Sequence, residues 1–190
     1  MLQSCAPFEL ETCSIVVSWL NSVSEGRHQK VETHQDLLNF ASAFVKFCSV
    51  SLPEETFTDL VNAVCRVYRC GARQAASTAE GEGGGGGGAS EGGGAAGSGR
   101  RESDEVGWNL RHGCLAFFDV VARYTVPPVN CLAILTEVLC MAVNESMLSR
   151  EAWAVMRNIL VRFTTSLREQ CALLFLPALR APTLPCVDQC

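Results

Sequence analysis

Eleven cysteines and three histidines are the side chains of this sequence with the chemistry for nucleophilic attack or metal binding. Structural zinc sites set thiols and imidazoles at short, fixed spacings. No C-x-x-C occurs here; the nearest spacings are Cys65 to Cys70 and Cys186 to Cys190, and neither is paired with a histidine at ligand spacing. No metal and no cofactor is therefore expected. A thiol enzyme needs a cysteine within reach of a base. His112 stands two residues before Cys114, and on a helix that offset points the two side chains about 200° apart. His28 falls in a polar loop and His34 at a helix start. Cys48, Cys65, Cys131 and Cys140 sit inside amphipathic patterns, where a free thiol acts as a small hydrophobe, and a reducing compartment keeps it reduced. The expectation is a chain with no catalytic residue.

The stretch "EGEGGGGGGASEGGGAAGSGRRESDE", residues 80–105, raises a second chemistry, the cradling of phosphates. Twelve of the 16 glycines lie between Gly81 and Gly99. A phosphate loop needs its glycines at set spacing before a Lys and a Ser or Thr. The chain's lysines are Lys30 and Lys46, and neither follows a glycine. The tract instead has the composition of a flexible linker, which buries too little apolar surface to offset chain entropy. At its end Arg100 and Arg101 precede Ser103, a pattern that makes Ser103 a candidate for phosphorylation by a basic-directed kinase. The competing reading is that the two arginines only solubilise the linker.

These groups can act only if the rest of the chain positions them. A net charge of −5, pI near 5.2, and no basic stripe argue against a nucleic-acid binder. The start "MLQSCAPFELETC" lacks a basic region and carries Glu9 and Glu11, so no secretory signal is expected. No apolar run approaches the roughly 20 residues that cross a bilayer. A soluble, cytoplasmic protein without direct membrane insertion follows.

Apolar residues recur at helical spacing almost throughout. Cys13, Val16, Val17 and Leu20 mark a first helix. Thr33, three residues ahead of Asp36, resembles a capping box before Leu37, Ala41, Phe44, Val45 and Cys48. In "SVSLPEE", Ser51 can cap, Pro53 suits a first turn, and Glu54 and Glu55 suit the positive end of the dipole; Phe57, Leu60, Val61, Val64 and Tyr68 follow. A connection this short predicts an antiparallel hairpin over 33–69. Beyond the linker, Cys114, Leu115, Phe118, Val121 and Ala122 share a helix face that "TVPPVN" terminates. Leu132, Leu135, Leu139 and Ala142 line the next, giving a second hairpin over 108–143. A last helix carries Ala152, Val155, Met156, Ile159, Leu160, Phe163 and Leu167. Trp19, Trp108 and Trp153 read as packing residues. The fold class is all-α, a bundle or an α-solenoid of helical hairpins.

Val45, Lys46, Phe47, Ser49 and Leu52, then Asp119 and Tyr124, Leu139 and Cys140, and most sharply Trp153, Met156, Arg157, Asn158, Ile159 and Leu160 follow an order that resembles the N-terminal helical-repeat region of the tuberin family. The resemblance covers about two thirds of the chain. It implies an α-solenoid of HEAT- or armadillo-like hairpins with a disordered Gly-rich insertion. The domain limits are then 1–70 and 106–169 for the helical repeats, 71–105 for the linker and 170–190 for a divergent tail. It also implies a scaffold that binds hamartin within the tuberous sclerosis complex, which activates the small GTPase Rheb's hydrolysis and restrains TOR signalling. The implied location is cytoplasmic, peripheral at the lysosomal membrane through the complex. The family's GAP domain and its catalytic asparagine have no counterpart here; Asn158 belongs to a packing motif. A small GTPase would be met only through that domain. After Leu160 the similarity stops and prolines follow, as expected of a fragment, a splice product or an incomplete gene model. On that view the helix bearing Met156, Leu160 and Phe163 carries an open apolar face. The alternatives are a stand-alone helical-repeat adaptor with an unrelated partner and, less favoured, a cysteine-dependent enzyme.

Overall fold

The computed structural model of the chain describes residues 7–27, 31–79 and 98–162. His28, Lys30, Phe163, Leu167, Cys186, Cys190 and the tail 170–190 lie outside the described residues. All the described elements are helices: α1 (Pro7–Ser24), α2 (Val31–Cys48), α3 (Glu54–Ala79), α4 (Ser98–Tyr124), α5 (Val129–Val143) and α6 (Ser149–Arg162). The all-α class is what the periodicity predicts.

Local chemistry explains most of the ends. Pro7 opens α1, where its missing N–H is not needed. Gly26, at φ 73°, closes it. Its N–H bonds Val23 O and that of Arg27 bonds Ser22 O, both at 3.0 Å, the paired bonds of a Schellman stop that a left-handed glycine permits. Glu54 and Glu55 occupy the first turn of α3. Ser51, however, does not cap it: its hydroxyl turns back to Cys48 O at 2.9 Å and finishes α2 instead. Thr33 lies inside α2 rather than at its cap, because the helix begins at Val31. The helices also extend past the linker limits the sequence suggests, α3 to Ala79 and α4 from Ser98. Residues 72–79 are rich in Ala, Arg and Gln, strong helix formers that continue a helix already begun. Residues 80–97 lie outside the described residues.

The helices pack as a ladder. One rail runs α1 on α3 on α5, the other α2 on α4 on α6, and the rungs are α1 with α2, α3 with α4, and α5 with α6. The hairpins expected over 33–69 and 108–143 are therefore not the packing pairs. α2 barely meets α3 and α4 barely meets α5, despite their short turns. Each buried stripe faces the next-but-one helix, and the direction of that stripe, not the length of the turn, selects the neighbour. In chain order the Gly-rich tract therefore joins the two helices of the central pair rather than two successive pairs.

One core runs through the ladder and includes Leu20, Leu38, Leu60, Tyr68, Phe118, Leu135 and Met156. Gly113 lets α4 approach α2: a Cβ there would stand 2.8 Å from Leu38 Cδ1 and 2.9 Å from Gln35 Oε1. Buried hydroxyls are satisfied within their own helices, Thr58 on Glu54 O, Thr125 on Val121 O and Thr136 on Leu132 O. Met156 is buried and Leu160 half-buried, so these two do not form the open face expected on α6; Phe163, the third residue of that face, lies outside the described residues.

Candidate interaction surface

Most of the described thiols are built as core: Cys13, Cys65, Cys70, Cys114 and Cys131 are buried, and Cys48 and Cys140 partly so. Cys65, Cys114 and Cys131 have no exposed surface. Burial pushes the thiols of Cys65 and Cys131 up to about 12 and raises that of Cys114 well above its ordinary value. Burial also raises Cys48, helped by the charge of Glu9, and Cys140. A thiol held protonated is a poor nucleophile and a poor ligand. His112 is exposed and stacks on Trp108 with ring centroids 5.0 Å apart, well separated in role from the buried Cys114, as their spacing predicts. His34 is buried in the first turns of α2. No group of His, Cys, Asp and Glu fit to hold a metal occurs among the described residues. Ser103 falls on α4, and its side chain lies outside the described residues.

Polar side chains act mainly as fasteners between rungs. Glu145, in the turn between α5 and α6, accepts the Tyr68 hydroxyl of α3 at 2.8 Å on Oε1 and pairs through Oε2 with Arg111 of α4. Arg111 Nε donates to Gly107 O at 3.1 Å. Burial first, then the bond to the Glu145 carboxylate, raises the Tyr68 hydroxyl far above its ordinary value, so it remains a donor. Asn158 donates to Asp119 at 2.7 Å and Arg162 to Ala122 O at 3.1 Å, tying α6 to α4. Arg69 pairs with Glu137 across α3 and α5 at 3.0 Å. Asn158 is thus a packing residue, as its context suggests.

The exposed aromatic side chains lie chiefly on α1 and α2. Phe8, Trp19, Phe40 and Phe47 are 76%, 56%, 51% and 77% exposed. The rung between α1 and α2 is the least intimate of the three, and the gap is a trough of about 750 Å³ lined by Ile15, Trp19, Val23, Leu37 and Phe40, with Asp36 on its wall. Trp19, and on α6 Trp153 at 44% exposure, are therefore not the packing residues their type suggests; only Trp108 packs against the core. The signal for the trough was in the sequence: Phe8, Ile15 and Trp19 form a second apolar stripe beside the buried Cys13, Val16, Leu20 and Val23. A helix apolar on two faces needs two neighbours. At the end of α2 the Lys46 ammonium lies 5.5 Å from the centroid of the Phe47 ring and 4.9 Å from that of Tyr124.

These features define a class: an all-α protein with a few charged and polar side chains joining its helices and an apolar trough open between two of them. Among the described residues no helix is long and apolar enough to cross a membrane. Residues 7–177 match the family described as a domain of unknown function, DUF3384, and the chain belongs to that family. No curated protein and no solved structure matches the chain.

Proposed function

We propose that the chain is a non-catalytic, protein-binding scaffold segment of the tuberin type, a short α-solenoid of HEAT- or armadillo-like pairs whose partner is hamartin. In this reading it serves the tuberous sclerosis complex, the GTPase-activating complex for Rheb that restrains TOR signalling, in the cytoplasm and at the lysosomal membrane. The observation that carries a binding role is the outward apolar surface of α1 and α2, which includes four large aromatic side chains. A monomer gains nothing from exposing a patch of that kind unless something covers it. The ladder of contacts, each pair meeting only its neighbours, supports the solenoid reading. The tuberin-like order of residues from Val45 to Leu160 supports the choice of partner. Co-expression with hamartin is the test: the two should elute together in gel filtration, and the chain alone should not accelerate GTP hydrolysis by Rheb. If hamartin elutes apart from a folded chain, an adaptor with an unrelated partner takes this reading's place.

A further inference from the structure

We propose that the trough between α1 and α2 receives one amphipathic helix of a partner protein, apolar along one face and cationic beside it. The inference rests on the reading of the chain as a protein-binding scaffold and specifies the site and the chemistry of its occupant. The walls supply the shape: Ile15 and Trp19 from α1, Leu37 and Phe40 from α2. On α1 the lining runs from Thr12 to Val23, about 18 Å at 1.5 Å per residue, which matches about three turns of a docked helix with anchors at i, i+3 or i+4, and i+7.

Charge selects among occupants. Among the described residues that line the trough Asp36 is the charged one and it is exposed; Glu11, next to Thr12 in sequence, is a further exposed acid on α1. A second copy docking face to face would bring two Asp36 and two Glu11 carboxylates to one interface with no cation from the described lining to offset them, an unfavourable gathering of like charge. An anionic lipid surface meets the same repulsion. A helix with Lys or Arg flanking its apolar stripe gains both the apolar burial and the opposite charge.

The experiment uses the full chain with Trp108→Phe and Trp153→Phe, so that Trp19 alone reports. The probe is an 18-residue helical peptide of Leu, Ala and Lys, with Leu at helical spacing and Lys along its edge; its counterpart carries Glu in place of Lys. Saturable binding of the Lys peptide with a blue shift of Trp19 emission is expected. It should weaken about tenfold or more with Phe40→Ala, and Asp36→Lys should move preference toward the Glu peptide. Circular dichroism confirms that both variants remain folded. Equal binding of the two peptides, or affinity indifferent to Phe40→Ala, overturns the proposal. So does a dimer that Phe40→Ala dissolves, or preferential binding to vesicles containing phosphatidylserine. The two readings fail separately. Hamartin binding that survives Phe40→Ala and Asp36→Lys removes the trough and spares the scaffold, whereas Lys-peptide binding without hamartin binding keeps the trough and removes that partner.

Discussion

The first and third pairs of helices are fastened to the central pair in different ways. The α5/α6 pair adds to its apolar core a set of charged and hydrogen-bonded fasteners: Glu145 to Tyr68 and Arg111, Arg69 to Glu137, Asn158 to Asp119 and Arg162 to Ala122 O. The α1/α2 pair is held mostly by apolar contact, with the guanidinium of Arg66 clasping Asn21 at 2.8 and 3.0 Å. Polar fasteners demand one geometry, because a displaced partner leaves a desolvated group unsatisfied. Apolar contact tolerates small displacements. The end held by polar bonds is therefore the more precisely located, and the end held by apolar contact is the one that leaves aromatic rings outward. Specificity of packing and availability for binding are thus divided between opposite ends of one ladder.

The largest effect that could break this comparison is alkaline pH. Cys65, Cys114, Cys131 and Tyr68 belong to the second and third pairs, and burial raises each of them. Below pH 9, the ordinary thiol value, both folded and unfolded thiols keep their protons and the contribution is complete. Above it the unfolded chain releases protons that the fold retains, so stability falls as pH rises, up to about 12 for Cys65 and Cys131. Each such group contributes a slope of about 1.4 kcal/mol per pH unit across that window. Urea midpoints measured from pH 8 to 11 should fall steeply, and Cys65→Ala and Cys131→Ala should each flatten the profile. A profile already flat in the wild type would mean that these thiols meet solvent and that the central core is looser than described.

Next in size is the loss of the polar seam. Glu145→Ala removes the acceptor of both Tyr68 and Arg111. The Arg111 side chain is 11% exposed and that of Glu145 27%, so the cost should lie toward the low end for breaking a buried pair, about 3 kcal/mol. Phe47→Ala, at the first pair and 77% exposed, should cost less than about 1 kcal/mol. Equilibrium unfolding of the two variants checks the contrast. Similar losses would mean that the two ends are fastened alike.

How much of this was legible in the sequence follows from the same division. Buried stripes were readable one helix at a time, because amphipathic spacing needs no knowledge of the neighbour. Leu60, Val64, Phe118, Leu135 and Ile159 are core where their periodicity places them. The neighbour itself was not readable: the turns at Pro53 and at Pro127 and Pro128 are short, yet the helices they join hardly touch. The seam was hidden as well. Tyr68, Arg111 and Glu145 are far apart along the chain, and nothing local marks an arginine that will be buried. Met156 and Trp153 show the limit of residue type, since the methionine is core and the tryptophan half out. The second stripe of α1 was there to be read, as Phe8, Ile15 and Trp19, but one buried face per helix accounts for only half of it.

The smallest effect concerns the central pair, whose two helices are separated in sequence by residues 80–97 yet pack closely. If their association rests on the apolar contact of α3 with α4 and on the flanking pairs, the length of chain between Ala79 and Ser98 should matter only through closure entropy, which grows with the logarithm of length. Deleting residues 83–94 shortens the connection about threefold and should stabilise the protein by about 1 kcal/mol at most. Helicity and the cooperativity of unfolding should not change. Circular dichroism and urea unfolding of the deletion variant decide the matter. A loss of helicity, or a broader transition with a lower m-value, would mean that the tract contributes contacts of its own, and that the central pair is not the self-sufficient element from which the other two are hung.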